Sequence, residues 1–142
     1  MVNLKTVTSS NARLVSSQPL VAVVVGAAGI GGYALRSLAT THGKDGKGLR
    51  AYIVARTAAK VEGLISDCQK LCPAGQFQFI QAKDLSLLQE VDKACADLIK
   101  VEEAEAQKAG EKARIDILVM AQAIFEPWGK RQGRRFHGIV PC

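Results

Sequence analysis

Apolar residues fall in two rhythms along this chain: short unbroken runs and longer stretches in which they return every three or four positions. Leu20 to Val25, Leu49 to Ala55, Phe77 to Ile80 and Ile115 to Ala121 are the short runs. Their length and their β-branched content predict strands, the first suited to cover on both faces and the last apolar enough to be central. Helical spacing follows each of the first three. From Gly31 to Thr41 it is carried by Tyr33, Leu35 and Leu38, with His42-Gly43 as a natural stop. After Thr57, an N-cap candidate, Val61, Leu64, Ile65, Cys68 and Leu71 share one face that ends at Pro73 and Gly75. Ser86 to Gln89 has the spacing of a capping box, and Leu87, Leu88, Val91, Ala94, Cys95 and Leu98 form the next stripe. Glu102 to Lys112 reads as a solvated extension of that helix. Before the first strand, Ser10 or Asn11 can cap a short helix, and Pro19 leads into the strand.

Strand, helix, strand, helix, strand, helix, strand predicts parallel pairing through right-handed crossovers, a Rossmann-like α/β sheet with helices on both faces. Ligands of such sheets lie beyond the C-terminal ends of the strands. The first of those ends is glycine-rich. Gly26, Gly29 and Gly31 allow close backbone approach, and Gly29-Ile30-Gly31-Gly32-Tyr33-Ala34 fits a dinucleotide-binding pattern between a strand and a helix. Free N–H groups at the helix start favour an anion there. A tight turn that binds nothing is the plainer alternative.

The second end distinguishes between cofactors. A carboxylate after strand two commonly holds the ribose 2′-OH of NAD, but no acid lies between Asp45 and Glu62. Arg56 and Thr57 stand there instead, suited to a 2′-phosphate and hence to NADP. Arg56 can also be an ordinary surface cation. Lys60, one helical turn on, either assists or is solvated. After strand three, Asp84 can accept a hydrogen bond from an adenine amino group or cap the next helix. Gln122, after strand four, falls on the ribose and nicotinamide side.

Composition narrows the classes. With 142 residues and 48% hydrophobic content, the chain suits one globular domain with a sizeable core. Leu20 to Leu35, its longest uncharged apolar-rich stretch, is broken by four glycines and predicts no membrane span. A cytoplasmic protein is the default expectation. Cys68, Cys72, Cys95 and Cys142 form no metal-binding spacing, and Cys68 and Cys72 are expected on one buried helix face. Of the 19 basic residues, Lys130, Arg131, Arg134 and Arg135 fall in the last 13 positions, leaving 15 against 13 acidic. The net charge of +6 therefore belongs to the tail, and without interleaved aromatics it does not predict nucleic-acid binding.

Taken together, Ser9-Ser10-Asn11-Ala12, Leu20 to Gly26, Tyr52-Ile53-Val54-Ala55-Arg56 and Ile115 to Gln122 resemble the short-chain dehydrogenases/reductases, more narrowly a fungal group associated with secondary metabolism. The resemblance spans about residues 1–129. It implies an NADP-dependent oxidoreductase acting on a carbonyl or alcohol of a small metabolite, with Gly26, Gly29, Ile30, Gly31, Arg56, Thr57, Asp84 and Gln122 at the cofactor. Two departures stand out. Gly26-Ala27-Ala28-Gly29-Ile30-Gly31 is one residue shorter than the family's G-x-x-x-G-x-G loop and replaces polar positions with alanine, leaving backbone donors. The family's Y-x-x-x-K pair is missing, because Ser37 and Arg56 stand four residues after Tyr33 and Tyr52. No catalytic residue is assigned. The resemblance implies a Rossmann-like domain truncated after the fourth strand, followed by a basic tail at 130–142 from a frame-shifted or mis-spliced ending. The alternative is a nucleotide- or partner-binding remnant without catalysis. An exposed fourth strand predicts self-association or aggregation.

Overall fold

The computed structural model describes residues 1–122, so the expected tail lies outside the described residues. Helix α1 (Leu4–Ser17) precedes strand β1 (Leu20–Val25), helix α2 (Ile30–Asp45) and strand β2 (Leu49–Ala55). Helix α3 (Ala59–Leu71), strand β3 (Gln76–Gln81), helix α4 (Leu88–Ala109) and strand β4 (Ile117–Met120) complete the order. The four strands form one parallel sheet, ordered β3-β2-β1-β4. This is the expected Rossmann-like α/β arrangement.

Alternation along each strand sends neighbouring side chains to opposite faces. Ala22, Val24, Ala51 and Ile53 pack with Val15 of α1, Leu35 and Ala39 of α2, and Val61, Leu64 and Cys68 of α3. Val21, Val23, Tyr52, Val54 and Ile80 pack on the other face with Ala94 and Leu98 of α4. Both faces are covered, so β1 reads as an unbroken apolar run. Cys68 and Cys72 are buried thiols, as expected, and burial pushes Cys68 up to about 11. No helix among the described residues is long and apolar enough to cross a membrane.

Several local expectations are corrected. Ser10 and Asn11 lie inside α1, which is capped by Asn3 through a bond from the Lys5 N–H at 2.9 Å. Helix α2 runs through His42-Gly43 to Asp45, because His42 is buried in the packed layer and overrides the local stop. Thr57 is not the cap of α3: Ala58 holds that position, with no side-chain bond. The capping box at Ser86 is also absent, since the Ser86 hydroxyl donates to the Asp84 carboxylate at 2.6 Å, a stronger acceptor than a neutral group.

Helix α4 departs furthest from its sequence pattern. Leu87, Leu88 and Cys95 are exposed, and the buried stripe is Ala94, Leu98, Glu102 and Ala106. The supposed solvated extension is therefore packed against the sheet. Glu102 is only 3% exposed and accepts from Arg50 Nη2 at 2.9 Å, Arg50 Nε at 3.1 Å and the Tyr52 hydroxyl at 2.7 Å. Burial alone would raise its pKa, but these donors outweigh burial and hold the carboxyl below its usual range. Arg114 extends the network to Glu111, Asp116 and the Pro19 carbonyl. Asp116 then grips Val21 through the N–H at 2.8 Å and the carbonyl at 2.9 Å, joining the start of β4 to β1. Strand β4 is shorter than expected and lies at an edge among the described strands, with Leu118 and Met120 58% and 66% exposed.

Candidate functional site

Parallel pairing places the ends of all four strands on one rim. Val25 is in register with Val54 and Met120, so Gly26, Arg56 and Gln122 emerge beside one another. At Gly26 the chain turns with φ +85°, and its N–H donates to the Val54 carbonyl at 3.1 Å. A Cβ there would stand 2.7 Å from the Gln122 nitrogen. Gly31, in the first turn of α2, passes so close to the Gly26 carbonyl that a Cβ would overlap it at 2.0 Å. Only bare backbone lets the helix start tuck beneath the loop.

Beyond this turn lies a cleft of about 590 Å³. Of the residues expected to bind a cofactor, Gly26, Arg56, Asp84 and Gln122 line it. The other four do not. Gly31 supports the loop from below, Gly29 is the N-cap of α2 with φ +62°, Ile30 is 79% exposed, and Thr57 is exposed beyond Arg56. The apolar part of the lining includes Ala27, Ala28, Val54, Val61 and Leu85.

The remaining polar wall has two supports that sequence reasoning missed. Gln81, the last residue of β3, donates its amide to the Arg56 carbonyl at 3.2 Å, bracing the corner that carries the guanidinium. Ser86 donates to Asp84 Oδ1 through both its hydroxyl and its N–H, the latter at 3.0 Å. Asp84 thus shapes the turn before α4 and is not that helix's N-cap, which is Leu87. An Asp two residues before a Ser was a legible signal for such a turn. Nothing in one dimension pairs Gln81 with Arg56.

A glycine corner, a cation after β2 and a carboxylate after β3 share one cleft at the strand ends, the place where such sheets bind nucleotides. Over 125 residues the chain is 44% identical to the short-chain dehydrogenase/reductase SAT2 of Stachybotrys chartarum, covering 87% of this chain and 35% of that protein. The chain is homologous to part of a short-chain dehydrogenase/reductase. It is also 41% identical over 101 residues to the oxidoreductase AN1596 of Emericella nidulans, with 70% of this chain and 29% of that protein covered. This dehydrogenase/reductase-like chain thus spans about a third of the length of the curated relatives it matches. No protein-family model matches it.

Proposed function

We propose that this chain is the cofactor-binding portion of an NADP(H)-dependent oxidoreductase acting on a carbonyl or alcohol of a small metabolite, within secondary metabolism. One observation carries the cofactor choice: Arg56, and no carboxylate from the same corner, enters the cleft at the end of β2. The cleft suits such a group, with a glycine cradle that a Cβ would fill, an apolar wall and a cationic corner. Backbone amides of the loop and of the first turn of α2 meet the pyrophosphate. Arg56 meets the 2′-phosphate, Asp84 the adenine amino group, and Gln122 the ribose and nicotinamide side. When bound, the nicotinamide ring supplies or accepts hydride.

Calorimetry with the purified chain tests this reading. NADPH is expected to bind about tenfold or more tightly than NADH, the contribution of a charge-assisted hydrogen bond to phosphate. A folded chain that gives no heat with millimolar NADPH overturns it.

A second reading is nucleotide binding without hydride transfer, in which neither tyrosine of the described residues takes part. Tyr52 is buried and donates to Glu102 at the opposite end of the strands, and Tyr33 is 73% exposed on α2. Neither lines the cleft. Turnover of a carbonyl substrate with bound NADPH separates the two readings. Self-association through β4 is proposed as well, supported by its exposed Leu118 and Met120. A sharp monomer peak in light scattering at micromolar concentration would contradict that.

A further inference from the structure

Helix α1 is amphipathic along its length but packed along only part of it. Leu4, Val7 and Leu14 recur at helical spacing on one side, whereas Lys5 and Arg13 stand on the other among serines and threonines. The domain covers little of this helix. Val15 is its buried residue, and the Val15 carbonyl accepts from the Lys47 N–H at 3.1 Å, which pins the last turn where α1 packs beside α2. Every residue from Leu4 to Asn11 is exposed, and Leu4, Val7 and Leu14 are 78%, 37% and 44% exposed. Two helical turns without a packed face are marginal in water. A surface that covers the apolar side would support them.

Charge decides the chemistry of that surface. The sequence has no acidic residue before Asp45, so neither α1 nor α2 ahead of its final residue carries a carboxylate. Lys5 and Arg13 are exposed, and among the described residues neither is in an ion pair. A second copy would bring like charges together. Nucleic acid would leave the aliphatic stripe uncovered, and α1 has no aromatic ring to stack on bases. The polar side also suits a poorly hydrated boundary: the hydroxyls of Thr8, Ser9, Ser16 and Ser17 donate to carbonyls of their own helix at 2.7–3.1 Å, satisfied without water.

We propose that α1 is a membrane-surface helix, which lies on an anionic bilayer with Leu4, Val7 and Leu14 at the acyl boundary and holds the domain there without spanning it. The long stems of Lys5 and Arg13 carry their charges to the lipid phosphates and carboxylates.

The test is co-sedimentation of the full chain with vesicles of phosphatidylcholine, either alone or with about one third phosphatidylserine. Binding to the anionic vesicles is expected to be about tenfold or more tighter at low salt, because each cation near such a surface contributes about fivefold. Lys5→Gln with Arg13→Gln should abolish that preference. Leu4→Gln with Val7→Gln should weaken binding to the anionic vesicles by about fivefold or more, with the circular dichroism of the domain unchanged, since both side chains are exposed. Leu88→Gln, which alters an exposed leucine on α4, controls for general hydrophobicity and is expected to change nothing. Absence of binding to the anionic vesicles, or binding that the Leu4 and Val7 changes leave intact, overturns the proposal. So does a dimer, seen by light scattering without vesicles, that the Leu4 and Val7 changes dissolve, because the stripe then belongs to a second copy.

Discussion

At the N-terminal ends of the strands, polar side chains turn inward and answer one another; at the C-terminal ends they turn outward toward a cleft. Arg50, Tyr52, Glu102, Glu111, Arg114 and Asp116 make a continuous set of hydrogen bonds at the first end, in which Arg50 and Glu102 side chains are 12% and 4% exposed. Arg56 and Lys60 at the other end are exposed and unpaired among the described residues. Similar residue types thus serve opposite purposes. Charges already satisfied inside the protein hold its architecture, whereas charges left to solvent remain available to a ligand.

The largest expected effect lies at the satisfied end. Glu102→Ala leaves the buried Tyr52 hydroxyl without its acceptor and Arg50 with only the Glu111 contact at 3.3 Å, and urea denaturation is expected to show a loss of about 3 kcal/mol. NADPH preference measured on the remaining folded fraction should not move. The same network has a pH signature. Because the folded carboxyl of Glu102 sits below its ordinary 4.5, its contribution is present above that pH and is lost as pH falls through the folded value. Acid unfolding of Glu102→Gln should therefore be shallower than that of the parent.

At the cleft, Gly31→Ala drives a methyl group into the Gly26 carbonyl. Denaturation is expected to show a cost of about 1–3 kcal/mol, the usual scale of overpacking, together with loss of NADPH binding. Arg56→Glu should do the reverse of Glu102→Ala. Its stability stays within about 0.5 kcal/mol of the parent, as for an exposed side chain, while the NADPH to NADH affinity ratio falls by about ten- to a hundredfold. If Arg56→Glu unfolds the chain, or Glu102→Ala alters cofactor preference, the division between the two ends is wrong.

A smaller effect lies in the helical layer between them. His42 is 4% exposed, its Nδ1 stands 3.1 Å from the Leu38 carbonyl, and its Nε2 has no partner among the described residues. Burial lowers its pKa from the ordinary 6.5, which the Leu38 contact only partly offsets. The unfolded chain therefore binds the proton more readily. Stability attributable to neutral His42 is complete above pH 6.5 and declines as pH falls toward the folded pKa. His42→Leu should remove that part of the pH dependence in denaturation series from pH 7 to pH 5.

The cleft was legible where local chemistry specifies it. Gly26 and Gly31 are required by backbone geometry at one turn, and Arg56 follows directly on the end of a strand, so both could be placed from neighbours in sequence. Thr57 and the Ser86 box were misplaced because short polar side chains satisfy several local geometries at similar cost; for Ser86 the competing partner, Asp84, decides. Glu102 was misread for a different reason. In an alanine- and charge-rich helix its pattern is that of a solvated face, and the donors that make its burial favourable, Arg50 and Tyr52, lie 50 or more residues away.

Periodicity and glycine chemistry, which act between residues a few positions apart, were enough to specify the α/β order, the sheet's two-sided burial and the glycine corner. Contacts across the sheet were not written in any local run: which helix face packs, where the charges of α4 go, and that Gln81 braces Arg56 all emerged with the fold. The reason is that hydrogen bonds and burial depend on separation in space, and a parallel sheet brings together residues whose separation along the chain carries no periodic signal.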